Sequence, residues 1–438
     1  MRVFLIGLWM SVFLFTGLLS SRTGTTPGGE YPSLFVKGAR FYWVTTADLD
    51  GDGRVEIIAG GQIGPKKSYR GYIGVYREEN SGLVQVAEDT FSVIYEGKSL
   101  PTRIRAVVAA ADPVSGRWEF YAAGRSGEDE TGAGFLRKSV YTGNEGEKAF
   151  DEIETLVFRS SGSRYTHGYP IALLEPDGEK RPRVVYGGFS SGGPGTKGAD
   201  ADRADVRVFR TGIDDNFRTD VSRPFDGLAI PLRVNALATG DIDGDGKEDI
   251  VIAGRTKTDN GEKAAFASWC DGKIHYNIME KEDESRFRTL LIADLDSDGK
   301  MEILTGGRID VGKVLIARLE CWRFEGGSFR MVSRYAWTGD RSTRLRDFVR
   351  HPGKAVFYAL GRSELLNGGE LEWNGFVRSF RFENNRLMPA GDLRYVKNDW
   401  ETRIRHAVFF GKDRLLLAGF CANREKKEKA FLQILKRD

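Results

Sequence analysis

Beyond residue 22, apolar residues either alternate with polar ones or gather into short runs that stop at glycine, and no stretch sustains a period near 3.6. That pattern predicts strands throughout and no long helix. Seven apolar runs end on an equivalent glycine: Gly61 in EIIAGGQ, Gly124 in EFYAAGR, Gly188 in RVVYGGF, Gly254 in DIVIAGR, Gly307 in EILTGGR, Gly361 in VFYALGR and Gly419 in RLLLAGF. These glycines lie 53 to 66 residues apart. Upstream of each, a basic residue opens a further strand-like run: Arg40, Arg103, His167, Arg233, Arg286, Arg344 and Arg403.

Within a unit the order is strand, loop, strand ending in glycine, polar loop, then a third run such as Gly71 to Arg77 or Gly375 to Phe382, often with a fourth after it. Seven repeats of four antiparallel strands predict an all-β fold, a seven-bladed β-propeller, in which only short, protected sheet edges remain. A solenoid of stacked units is the alternative. The chain ends separate the two. After Gly419 only one clear strand remains, Lys429 to Leu435, whereas Tyr31 to Gly38 is a surplus strand before the first unit. A ring whose last blade is closed by the N-terminal strand uses both; a solenoid has no use for the match. Residues 32–438 are expected to form one propeller domain.

Composition adjusts this picture in a few places. The chain has 40% hydrophobic residues, 54 glycines and only 13 prolines, which suits many short strands joined by tight turns. Its net charge of +3 is the small difference between 65 basic and 62 acidic residues, so bulk charge gives no ground for nucleic-acid binding. Three glutamines beside abundant Lys, Arg and Glu lean towards a heat-adapted source. Arg2, the uncharged apolar run from Val3 to Leu19, and Ser20 and Ser21 make residues 1–22 an export signal or an uncleaved N-terminal membrane anchor, with residues 3–19 as the tether. Either reading places the rest outside, secreted or at the cell surface. Cys270, Cys321 and Cys421 have no CxxC spacing and cannot all pair within one chain, so they are expected to be buried free thiols.

Three loops carry most of the candidate chemistry: Ala47 to Gly61 (ADLDGDGRVEIIAGG), Gly240 to Arg255 and Ala293 to Arg308. In the first, Asp48, Asp50, Asp52 and Glu56 fall at positions 1, 3, 5 and 9, with Gly53 at position 6 and the Arg54 carbonyl at position 7. The second set is Asp241, Asp243, Asp245 and Asp249 with the Lys247 carbonyl. The third is Asp294, Asp296, Asp298 and Glu302 with the Lys300 carbonyl. Alternating carboxylates folded around one point suit Ca²⁺, which takes six to eight oxygens in flexible geometry, better than Mg²⁺. An EF-hand would need a bidentate glutamate at position 12 and flanking helices; position 12 here is Ala59, and strands flank the loop. A solvated acidic turn held by its own Asx bonds is the plain alternative.

The loops and the repeat length resemble the FG-GAP/VCBS repeats of the integrin alpha-subunit propeller and its prokaryotic relatives, over nearly everything after about residue 32. The resemblance implies Ca²⁺ between the first and second strands of units one, four and five, about three sites on the residues just named. Units one and five depart from it in having Glu at position 9, where Asp is usual. The other four units have lost the carboxylates, as in ADPVSGRWE and FFGKDRL. Sites within single blades are expected to brace strands.

In a propeller the first strand of each blade lines the central channel, so Arg40, Arg103, His167, Arg233, Arg286, Arg344 and Arg403 are expected near one mouth. Arg125, Arg255, Arg308 and Arg362 end the second strands on the same face, opposite the acidic loops. Guanidinium forks read carboxylate, sulfate or phosphate groups, and Tyr42, Trp43, Tyr165, Trp337 and Trp400 are candidates to stack on sugars. The competing expectation is that these arginines pair with carboxylates such as Asp347, Glu364 or Asp399 and only lock the ring. Together these readings predict an exported, calcium-binding propeller serving as a binding or adhesion module for an extracellular protein or an anionic polysaccharide. The alternatives are a calcium-dependent polysaccharide lyase or hydrolase, or a scaffold subunit of a membrane complex. Against catalysis, the chain shows no nucleophile motif, histidine cluster or paired acid and base.

Overall fold

The computed structural model describes residues 33–436, apart from positions 66, 81, 114, 128–131, 144–148, 160–164, 175–182, 192–201, 212–215, 282 and 412. The expected signal or anchor at residues 1–22 lies outside the described residues. Among those described, every regular element is a strand, and no helix is long and apolar enough to cross a membrane.

Seven four-stranded antiparallel units follow one another in the chain. Their first strands are Ala39–Ala47, Thr102–Ala111, Tyr165–Leu174, Arg233–Gly240, Ser285–Ala293, Thr343–Arg350 and Glu401–Phe410. Each of these touches the first strand of the next unit, and Ala39–Ala47 touches Glu401–Phe410, so the seven form a closed ring. The apolar interior follows the same geometry. It divides into seven clusters, each shared by two adjacent blades, including one that joins Ile57 and Tyr72 of blade one to Leu416 and Ile434 of blade seven. A solenoid would leave that last cluster without a partner.

The second strand of each blade is covered on both faces by its neighbours, which is why runs such as EIIAGGQ and DIVIAGR are apolar without alternation. Blade seven is completed as expected: Ser33–Lys37 pairs antiparallel with Glu428–Lys436, Phe35 opposite Phe431. Two details lay outside the repeat pattern. A small hairpin, Val93–Tyr95 with Lys98–Leu100, joins blades one and two. The outer edge of blade six is split into Arg386–Pro389 and Arg394–Val396. The three cysteines are free and buried, as predicted.

Candidate functional sites: an arginine-lined channel and three acidic loops

All seven first strands carry a β-bulge at the same place, two residues after the basic position. The marker glycine of the second strand explains how it fits. A Cβ on Gly61, Gly124, Gly188, Gly254, Gly307, Gly361 or Gly419 would stand 1.9 to 2.2 Å from the carbonyl oxygen of the basic residue facing it. Only glycine lets the bulged backbone come that close.

The bulge turns one side chain per blade towards the axis: Tyr42, Arg105, Tyr169, Asn235, Arg288, Arg346 and Arg405. These residues line a cavity of about 140 Å³ to which every blade contributes, together with Trp43, Asp347 and His406. Of this ring only Tyr42 is among the candidates the sequence offers. Among the described residues none of its four arginines has a carboxylate within ion-pair distance. Arg288 donates to Asn235 Oδ1 at 3.0 Å. Arg105 lies over Tyr42 and Tyr169, its guanidinium carbon 4.5 and 5.2 Å from the ring centroids. Arg405 lies over Phe420 at 5.1 Å, and the Arg346 side chain makes no hydrogen bond, ion pair or ring contact among the described residues.

The electrostatics record the crowding. Burial, and then neighbouring arginines, lower the pKa of Arg288 and Arg346, and Arg405 falls to about 10. Burial pulls the Tyr169 phenol up, but Arg105, Arg233, Arg288 and Arg125 outweigh it and bring it below the usual tyrosine value. Asp347, the acid of the cavity, is pushed up to about 8 by burial, while the backbone N–H groups of Ala407 and Phe348 and the Thr289 hydroxyl pull it partly back. His406 accepts from the Val44 N–H at Nδ1, leaving its Nε2 proton facing Asp347 Oδ2 at 3.4 Å. Its ring stacks on Trp43 with centroids 3.7 Å apart, and burial lowers its pKa to about 3.

The outer ring, nearer the mouth, is largely locked. Arg40 pairs with Glu428, Arg255 with Glu262, Arg308 with Asp310 at 2.9 Å, and Arg362 and Arg403 share Glu401. Arg286 lies 3.3 Å from Glu262, and Arg233 lies 3.8 Å from Asp202. Arg125 meets His167 at 3.3 Å, and Arg103 donates to Gln62. Arg344 has no carboxylate at ion-pair distance among the described residues and sits over Trp373. Two of the three expected partners are corrected, whereas Glu364 is the carboxylate that acts most strongly on Arg344, raising its pKa against burial. Asp399 pairs instead with Lys429, Asp347 faces His406, and the carboxylates that lock the arginines come from strand ends and adjoining blades. Trp337 is buried against Phe376 and Phe380, which removes it as a sugar-stacking surface. Tyr165 packs edge-on to His167, and Trp400 lies under Arg424.

The acidic loops stand at the other end of the same first strands. All three share one hydrogen-bond scheme. The position-9 carboxylate accepts from the N–H of position 2 (Leu49, Ile242, Leu295), and the position-1 aspartate accepts from the N–H of the position-6 glycine. Carboxylate oxygens converge at Asp48, Asp50 and Glu56, at Asp241, Asp243 and Asp245, and at Asp294, Asp296 and Glu302, within 4.8 Å of one another in each group. The third strand then divides them. Register places Arg77, Cys270 and Arg323 at equivalent positions, one residue beyond the pairs Ile57–Tyr76, Ile250–Trp269 and Ile303–Trp322. Arg77 donates to Glu56 at 2.8 Å and Asp50 at 2.5 Å; Arg323 donates to Glu302 and Asp296, each at 2.7 Å.

Blade four has no guanidinium there. Burial, followed by Asp243 and Asp245, raises Asp249 to about 6, opposed by the Ile242 N–H, and the buried Cys270 thiol beside it rises to about 12. Lys247 rests outside, on Asp245 and Asp271. A divalent cation suits blade four, where a buried carboxylate lacks a positive neighbour. The clusters of blades one and five could hold one too, with Arg77 and Arg323 already bonded to two of their carboxylates.

Residues 234–262, spanning this loop and the strands on either side, match the family model described as FG-GAP repeat. Blade four is thus similar to an FG-GAP repeat. No curated protein sequence matches the chain. Solved structures similar to it include Sqt1 from Chaetomium thermophilum (10% identity, 94% of this chain and 100% of that one, TM-score 0.47). Others are a protein from Lactobacillus plantarum (13%, 82% and 84%, 0.46) and rhamnogalacturonan lyase YesW (14%, 93% and 73%, 0.45). At such identities and scores the likenesses bear on neither ligand nor activity.

Proposed function

We propose that this propeller is an exported binding module whose channel holds an anionic ligand, an acidic segment of an extracellular protein or an anionic polysaccharide. The observation that carries this reading is the bulge ring: four guanidinium groups in a cavity shared by all seven blades, none with a carboxylate partner among the described residues. Uncompensated guanidinium groups in a confined space repel one another and gain most from an arriving anion. Tyr42 and Trp43 supply flat surfaces beside them.

Calcium enters as a brace at the FG-GAP repeat of blade four, on Asp241, Asp243, Asp245, Asp249 and the Lys247 carbonyl. In blades one and five, Arg77 and Arg323 supply the positive charge from within. Export rests on the apolar run from Val3 to Leu19.

The test is a binding screen of acidic and neutral polysaccharides and acidic peptides against the protein and its Arg105→Ala, Arg405→Ala double variant. Saturable binding of an acidic polymer that the double variant loses supports the reading; equal binding by both sinks it. The lyase reading draws support from one feature, a phenol acidified by four arginines at Tyr169. It predicts that an acidic polysaccharide is cleaved to unsaturated, ultraviolet-absorbing ends, and that Tyr169→Phe abolishes this.

A further inference from the structure

Between blades five and six the channel wall opens into a pocket of about 260 Å³ lined by Arg286, Arg288, Arg308, Arg344 and Arg346, with Leu345 as its remaining side. Two blades build it. Arg288 is the bulge residue of blade five and Arg286 stands two places before it, Arg346 and Arg344 occupy the equivalent places in blade six, and Arg308 stands opposite Arg286 on the second strand. The carboxylates in reach cover only part of this charge. Asp310 holds Arg308 and lies 3.8 Å from Arg286, while Glu262 is divided between Arg286 and Arg255. Arg288, Arg344 and Arg346 are left with no carboxylate at ion-pair distance among the described residues. The Nε atoms of Arg286 and Arg344 are buried with no hydrogen-bond partner among the described residues, so donors as well as charges are unanswered.

We infer that this pocket seats a tetrahedral dianion, inorganic phosphate or a phosphate monoester carried on a larger ligand. The choice follows from counting. Three guanidinium groups without a contact ion pair, only Arg344 feeling carboxylates (Glu364 and Asp310) from further off, exceed what a carboxylate answers with one negative charge and two oxygens. A phosphate monoester brings close to two negative charges and three terminal oxygens, enough to accept from guanidinium groups on different strands at once. Arginine suits this better than lysine would, because each fork donates two bonds in a fixed plane. The inference rests on the anionic-ligand reading of the channel and narrows it to one wall.

The experiment is calorimetric titration of the full protein with inorganic phosphate, a sugar phosphate monoester and acetate, at constant ionic strength. Saturable one-to-one binding of phosphate, no acetate binding, and at least about tenfold weaker phosphate binding in Arg346→Gln and in Arg288→Gln are expected. Tighter binding of the monoester than of inorganic phosphate identifies a carried group as the ligand; the reverse identifies the free ion. Because each substitution removes an uncompensated charge, the variants should melt no lower than the parent without phosphate, and lose the phosphate-induced rise in Tm. Equal, non-saturating responses to phosphate and acetate overturn the inference. If phosphate fails while an acidic polymer still binds through Arg105 and Arg405, the pocket assignment falls and the channel reading stands; if both fail, both fall.

Discussion

Blade four and blade five solve the same problem in different ways. Each closes a loop of three alternating aspartates on a buried position-9 carboxylate, with the same backbone hydrogen bonds. Blade five places Arg323 against Glu302 and Asp296, whereas blade four places Cys270 against Asp249 and leaves the carboxylate without a cation. Blade one follows blade five, through Arg77 and Glu56. Glutamate goes with arginine and aspartate with cysteine. The longer carboxylate side chain reaches an internal cation; the shorter one leaves room for an external one. On the proposed reading, a loop of nearly constant outline is metal-dependent or self-sufficient according to two residues on adjacent strands.

The largest effect expected from breaking this contrast is at Arg323. Glu302 is fully buried, so Arg323→Ala strands its charge and should cost about 3–5 kcal/mol in urea denaturation. Millimolar Ca²⁺ should recover part of the loss by entering the vacated loop; a variant as stable as the parent would dissolve the comparison. Next comes metal removal. At a hundredfold excess over its dissociation constant, one ion adds roughly 2.7 kcal/mol. Calcium titration should find a single ion per chain, lost in Asp249→Asn, and saturating EDTA should lower the melting temperature accordingly. Three ions per chain would return blades one and five to the metal-binding class.

A graft sharpens the comparison further. Asp249→Glu combined with Cys270→Arg should give blade four its own cation, raise metal-free stability by roughly 1.5 kcal/mol, and make the melt indifferent to chelator. The smallest effect concerns another buried acid with no cation paired to it, Asp347 in the channel. The folded protein holds that proton up to about pH 8, whereas an unfolded aspartate releases it near pH ~4. Between those values the folded state binds more protons, so stability falls as pH rises through the window. Asp347→Asn should flatten that slope and be more stable than the parent by about 1 kcal/mol at pH 8, read from chemical denaturation across the range.

Much of the frame was legible in the sequence because glycine spacing and strand periodicity are local signals. The ring, its closure by Ser33–Lys37, the inward basic residues and the three loops are all where the repeats put them. What escaped was set by register and by the third dimension. Arg77 and Arg323 sit 21 residues from Glu56 and Glu302 and meet them only once the third strand is laid beside the second. Glu428 reaches Arg40 across the closure of the ring, 388 positions away. Trp337 looked like a surface aromatic because nothing in its own strand announces that blade six covers it. Arg105, Arg288, Arg346 and Arg405 were visible as the second arginine of TRIR, SRFR, TRLR and TRIR. The marker glycines carried the missing information, since each is required by the bulge that aims these side chains.

That bulge gives the molecule an alphabet. Each blade writes one letter into the channel, and around the ring the word runs tyrosine, arginine, tyrosine, asparagine, arginine, arginine, arginine. The glycine opposite holds the letter in place whatever the letter is, so a blade can change what it writes without disturbing its neighbours' spelling. Ligand preference in such a ring can be revised one position at a time, by evolution or by hand, on a frame that never has to be redrawn.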